Sequence, residues 1–312
     1  MRAAIVTAEG LTVGEKANPV PGLGQLLVRV RGAGLNGADM LQVRGGYPAP
    51  AGSPPDVPGL EIAGEVVAVG PEVSRFGVGD RVMAVVGGGG QAELCLVHER
   101  CALAVPNGLA WDQAGGFPEA FTTAHDALFT QAGLGLGERV LITGAAGGVG
   151  TAGVQLAAAA GARVVASARN REHWGDLTAF GADEVVAPED AVAAGPFDVV
   201  LELVGGPGLA DTLSALATGG RIAVIGVGAG SSVQLNLHVL MQRRGRIHGS
   251  TLRARPLEAK ADAARRLEAH VLPHLGRRLR VPVAATFPLA DAPAAYERFR
   301  AGGKLGKIVL VP

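Results

Sequence analysis

Aromatic side chains make up only 4% of the 312 residues. Cores built from this chain must therefore be aliphatic and rich in alanine. Cysteine is scarcer still, with Cys95 and Cys101 alone. A disulfide framework is excluded as the main stabiliser, and the usage fits a reducing compartment. Net charge is absent, since 28 basic and 28 acidic residues cancel. That balance argues against a partner held by bulk charge, whether nucleic acid or membrane surface. No apolar run approaches the roughly 18 residues that suggest a membrane span. Met1 leads straight into a strand pattern, Ala3 to Thr7, with no basic-then-apolar leader, and a cytoplasmic protein is expected.

Glycine is abundant, at 48 residues, and hydrophobic residues reach 48%. The length suggests two domains of roughly 100–200 residues each. Residues 1–117 read as short strands separated by Gly and Pro: Leu26 to Val30, Ile62 to Val69, Arg81 to Val86 and Gln91 to Val97. Such spacing predicts a barrel-like β domain, with Pro48 to Gly59 as a rigid proline-rich loop. From about residue 118 helices and strands alternate. The strands are Arg163–Ser167, Glu184–Ala187, Asp198–Leu203, Arg221–Val227 and Arg246–Thr251, with helices near 171–180, 208–217 and 236–242. Together with the strand Val140–Thr143 they predict an α/β, Rossmann-type doubly wound parallel sheet. A charged helix, Leu257 to His270, and a strand–helix–strand tail, Val281 to Val311, complete the chain.

The most informative stretch is Arg139 to Ala160, RVLITGAAGGVGTAGVQLAAAA. Ala145-Ala146-Gly147-Gly148-Val149-Gly150 is a G-x-G-x-x-G turn with Ala in the first place. Gly147 is expected to let the backbone approach a pyrophosphate, and Gly150 to let helix and strand pack closely. The helix N-terminus then offers N–H groups and a positive dipole end. An acid after the second strand selects the ribose 2′-hydroxyl of NAD. Here the local sequence is Ser167-Ala168-Arg169-Asn170-Arg171. Arg169, assisted by Ser167, Asn170 or Arg171, suits a 2′-phosphate, so NADPH is the expected cofactor.

The chain resembles the medium-chain dehydrogenase/reductase superfamily. It is most similar there to the zinc-free quinone oxidoreductases of the zeta-crystallin branch, and within them to the tumour-suppressor-induced subgroup. The stretches that carry the resemblance are GLNGADMLQVRGGY, VPGLEIAGEV, VGDRVMAV, FPEAFTTAHDAL, GAAGGVG, LMQRRGRIHGSTLRAR and LGKIVL. The resemblance implies a GroES-like catalytic domain, residues 1–117 and 272–312, and a dinucleotide-binding domain, residues 118–271. It implies further cofactor contacts at Thr123, Gly226, Val227, Leu252, Arg253 and Lys304. It also implies a homodimer through the sheet edge around Arg246 to Ser250.

Against the zinc members, Asn36 stands in the place of the first ligand cysteine and Leu60 in that of the histidine. No metal is expected, because leucine cannot ligate and asparagine ligates poorly. Cys95, His98 and Cys101 are spaced for a cluster but lack a fourth ligand. They are read as two free thiols and a surface histidine. Without a Lewis acid, the expected reaction is hydride transfer from NADPH to a quinone, or to an enone or other α,β-unsaturated carbonyl. The third possibility is a nucleotide-binding protein of low turnover. The expected oxyanion donors are Asn36 and Tyr47. Each has a plainer role open to it: Asn36 as an amide capping the following turn, Tyr47 as a ring on the proline-rich loop.

Overall fold

The computed structural model describes all 312 residues. They fall into two units, Met1–Thr122 with Leu252–Pro312, and Thr123–Thr251. The first begins with an antiparallel ribbon of β1 (Arg2–Thr7) and β2 (Gly10–Glu15). Then come β3 (Gln25–Gly34), helix α1 (Gly37–Val43), β4 (Glu61–Val69), β5 (Arg81–Val85), β6 (Leu94–His98), β7 (Ala102–Ala104) and α2 (Trp111–Gly115). The proline-rich loop contains no helix or strand. Helix α3 (Pro118–His125) crosses the division between the units.

The second unit contains β8 (Arg139–Ile142), α4 (Gly148–Ala159), β9 (Arg163–Ser167), α5 (Trp174–Ala179), β10 (Glu184–Val186) and β11 (Phe197–Glu202). It continues with α6 (Gly208–Ser214), β12 (Leu216–Val224), α7 (Leu237–Arg243) and β13 (Arg246–Gly249). All strand pairs are parallel, in the order β10-β9-β8-β11-β12-β13. Strands buried on both faces are largely apolar, and Phe197, Val199, Val200 and Leu201 of β11 are fully buried. The order reverses between β8 and β11, which is where open sheets of this kind bind ligands. Several boundaries differ from expectation, two of them next to expected cofactor contacts. The helix near 171–180 opens with a 3-10 turn, Arg171–His173, because the Asn170 side chain accepts the Glu172 N–H. The fifth strand runs Leu216–Val224 and stops short of Gly226 and Val227.

The chain then returns to the first unit with α8 (Leu257–His270), β14 (Val283–Pro288), α9 (Ala292–Arg300) and β15 (Lys307–Val311). The sheet order is β14-β15-β3-β4-β5-β7, and β6 also pairs with β3. β3 is shared along one edge: Gln25 to Arg29 pair with β6, Ala33 and Gly34 with β15. Bulges in its register with β4 bend the strand between these partners. The core is aliphatic, with Leu26, Val28, Ile62, Val82 and Leu310 at its centre. Helix α8, expected with the nucleotide fold, groups with this unit. It buries Ala261, Ala263, Ala264 and Leu267, and Arg265 donates to the Ala102 carbonyl at 2.7 Å. No helix is long and apolar enough to cross a membrane.

Candidate active site

The glycine turn links β8 to α4. Gly144 takes a positive φ of 59°, and Ala145 is buried with its N–H donated to the Ser167 carbonyl at 3.0 Å. A Cβ on Gly150 would lie 2.5 Å from the Gly144 oxygen and 2.6 Å from the Ala145 Cα, so only glycine fits. A Cβ on Gly147 would meet only the Gly144 oxygen, at 3.3 Å, and otherwise open space. No side chain caps α4. Its first N–H groups are therefore available to an anion over Gly147, Gly148 and Val149, with Ala146 half-buried beside them.

At the reversal point a buried carboxylate ties the strand ends together. Glu202 accepts from the Thr143 hydroxyl at 2.9 Å and from the Val204 and Gly205 N–H groups at 2.7 and 2.8 Å. Beyond β12, Gly226 sits so close to β11 that a Cβ would lie 2.2 Å from the Leu203 oxygen. Val227 follows in the turn, 40% exposed. Thr123 lies half-buried on α3.

Arg169 follows β9 directly, exposed and without a hydrogen bond or ion pair. Its three expected helpers are placed differently. Ser167 is buried, Asn170 holds the turn to Glu172, and the Arg171 guanidinium lies 5.1 Å from the Trp174 ring centroid.

In the first unit, Asn36 belongs to a closed polar network. Its amide nitrogen donates to Glu61 at 3.0 Å and to the Gly34 carbonyl at 3.3 Å. Its amide oxygen accepts from the Lys307 ammonium at 2.7 Å. Lys307 also pairs with Glu61 at 2.5 Å, and Glu61 further accepts the Glu119 N–H at 2.8 Å. Asp39 accepts the N–H groups of Asn36 and Gly59 at 2.8 and 3.0 Å. Burial pushes its carboxyl up to about 6, against the pull of those two bonds and of Lys307. Both Asn36 amide hydrogens are therefore spent inside the protein, which removes it as a ready oxyanion donor.

Sequence reading missed Lys307 and chose Lys304. The Lys304 ammonium donates to the Gly306 carbonyl at 2.6 Å and lies 4.8 Å from the Phe299 ring centroid. Lys307 was detectable as a lysine opening the apolar strand KIVLV, since a charge at a core position must be paired. The resemblance places a backbone contact to the cofactor at Leu252 and Arg253, and the Arg253 side chain is occupied elsewhere. Its guanidinium is buried and committed to the Gly87 and Tyr47 carbonyls and to Gln42, while Leu252 beside it is 7% exposed. Any cofactor contact by Arg253 falls to its backbone. The Tyr47 hydroxyl has no hydrogen-bond partner. Burial raises its pKa above the usual 10, with Glu119 adding to the shift and Arg253 opposing it.

Residues 148–269 match the family described as zinc-binding dehydrogenase, and residues 22–132 the alcohol dehydrogenase GroES-like domain. The quinone oxidoreductase of Lama guanicoe is 31% identical over 306 residues, covering 95% of this chain and 91% of that protein. The chain belongs to the medium-chain dehydrogenase/reductase superfamily. The chain is also 36% identical over 300 residues to erythronolide synthase EryA2 of Saccharopolyspora erythraea, but spans only 8% of that polyketide synthase's length. Against another, GfsB of Streptomyces halstedii, it spans 4%. Among solved structures, the quinone oxidoreductase of Thermus thermophilus, described also in complex with NADPH, superposes with a TM-score of 0.86. That protein is 36% identical, with all of both chains covered.

The zinc in the first family's description can be tested against these residues. Leu60 is apolar and 2% exposed, and the Asn36 oxygen is already held by a cation. No three His, Cys, Asp or Glu side chains are placed to share a metal. Cys95 is buried, and desolvation pushes its thiol up to about 12. The donor set does not fit zinc.

Proposed function

We propose that the protein is a zinc-independent oxidoreductase that uses NADPH to reduce a quinone. The observation that carries the cofactor reading is Arg169, an uncommitted cation directly after the second strand of the parallel sheet, where NAD-selective sites place an acid. The uncapped N-terminus of α4 and the open face of Gly147 suit the pyrophosphate. When bound, NADPH supplies a hydride. The protein's own contribution is then positioning, exclusion of water and a donor for the oxygen that gains charge. Tyr47 carries the free hydroxyl for that donation. The name and NADPH complex of the Thermus thermophilus relative support the same reading.

Dissociation constants for NADPH and NADH, in the wild type and in Arg169→Ala, test the cofactor. Arg169→Ala is expected to weaken NADPH about tenfold or more, the scale of a lost charged hydrogen bond, and to leave NADH unchanged. An unaltered preference overturns the assignment. The substrate is tested by NADPH consumption with 1,4-benzoquinone, 9,10-phenanthrenequinone, 2-alkenals and crotonyl-CoA. Turnover confined to the last two would instead support reduction of a conjugated C=C bond, since a Tyr47 hydroxyl serves an enolate oxygen equally well. Tight NADPH binding with no oxidation across the panel would support a low-turnover nucleotide-binding protein.

A further inference from the structure

Arg253 is 3% exposed, yet no carboxylate pairs with it. Its partners are three oxygens on three separate pieces of the first unit. Nε donates to the Gly87 carbonyl at 2.7 Å, Nη1 to the Tyr47 carbonyl at 2.8 Å and Nη2 to the Gln42 side chain at 2.7 Å. Gln42 in turn donates to the Pro55 carbonyl at 3.1 Å, so the chain on both sides of Tyr47 is tied to one guanidinium. The guanidinium carbon also lies 5.1 Å from the Tyr47 ring centroid. Burying a cation without a counter-ion is costly. A lysine offers no such fork, and an apolar side chain of the same length would avoid the charge altogether.

We propose that Arg253 is a positioning residue for Tyr47: it fixes the loop and ring that present the hydroxyl, and its charge stabilises the oxyanion that this hydroxyl serves. The proposal rests on Tyr47 being the donor in the reaction above. A fixed positive charge beside a donor favours charge that develops next to it and needs no rearrangement as the reaction proceeds. The Gly87 bond explains a further feature. A Cβ on Gly87 would lie 2.2 Å from the Ser53 hydroxyl oxygen, so the glycine loop and the proline-rich loop close on each other where Arg253 enters.

The chain's two tyrosines, Tyr47 and Tyr296, make the test specific. Protein carrying 13C-labelled tyrosine gives two ring signals, assigned by Tyr47→Phe. Arg253→Met and Arg253→Lys are each expected to shift or broaden the Tyr47 signal and leave that of Tyr296 in place. Should Arg253→Met not fold, Arg253→Lys decides. An unmoved Tyr47 signal in a folded variant overturns the positioning role whatever the kinetics show. In benzoquinone reduction, Arg253→Met is expected to lower kcat about tenfold, with the KM for NADPH within about twofold. In the Tyr47→Phe background the same substitution is expected to cost little more. Equal losses in both backgrounds overturn the proposal, because Arg253 would then act independently of Tyr47. If Tyr47→Phe alone keeps full kcat while the Tyr47 signal still responds to the Arg253 substitutions made in the wild-type background, the donor reading of the reaction fails and the positioning stands.

Discussion

Lys307 shows how one residue's placement can depend on another far along the chain. Its ammonium is 3% exposed and is held by Glu61, Asn36 and the Leu35 carbonyl, all from a segment more than 240 positions earlier. Replacing it with methionine leaves the Glu61 carboxylate buried without its cation. Lys307→Met is therefore expected to cost about 3–5 kcal/mol in urea unfolding, and Lys307→Met with Glu61→Gln to recover part of that. A single variant within about 1 kcal/mol of wild type would refute the pairing. Asp39 gives a pH signature. Its carboxyl is raised from 3.8 to about 6 in the folded protein, so across that window the native state holds its proton more tightly than the unfolded chain. The sign follows: this contribution is complete below 3.8 and is lost as pH rises through about 6. Asp39→Asn is expected to flatten stability against pH between about 4 and 6, as read by urea midpoints at a series of pH values. It should also lower stability overall, because asparagine offers only one acceptor to two N–H groups.

Among the elements, α4 and its turn give the sharpest contrast between two glycines. Gly150→Ala places a methyl against backbone that cannot move aside, and a loss of about 1–3 kcal/mol is expected, as for overpacking. Gly147→Ala meets one oxygen at 3.3 Å and should leave the melting temperature nearly unchanged while weakening NADPH binding, by calorimetry. The same effect of both on stability would contradict this division of roles. The elements themselves were largely legible, because parallel strands such as β9 and β11 carry apolar runs, Val164 to Ala166 and Val199 to Leu201, and α4 and α5 are each followed by a glycine, Gly161 and Gly181. What sequence could not show was which polar side chains close on each other. Asn36 looked free because its partner Lys307 lies far along the chain. The end of β12 was misread because Gly226, which continues the apolar run, is pinched against Leu203 instead of pairing in the ladder. Helix α8, which the resemblance implies for the dinucleotide-binding domain, groups with the first unit, where Arg265 donates to the Ala102 carbonyl.

At the level of the whole molecule, β13 is the edge of the parallel sheet, paired on one side only. Nearby α7 exposes Leu237 at 65% and Met241 at 73%. Edges of this kind are ordinarily covered. A second copy of the chain is the proposed cover, so light scattering is expected to give twice the 31.4 kDa chain mass. A mass of one chain would rule that out.

The sharing of β3 also bears on synthesis. As the ribosome emits residues 1–122, that strand's partner β15 has not yet been translated, and neither has Arg253. The second unit, by contrast, is one uninterrupted segment, Thr123–Thr251, and can close as soon as it has emerged. The residues of the first unit that precede the second in the chain are thus completed only after it. A nascent chain halted before residue 307 would display the open edge of β3 to chaperones and to its neighbours on the polysome.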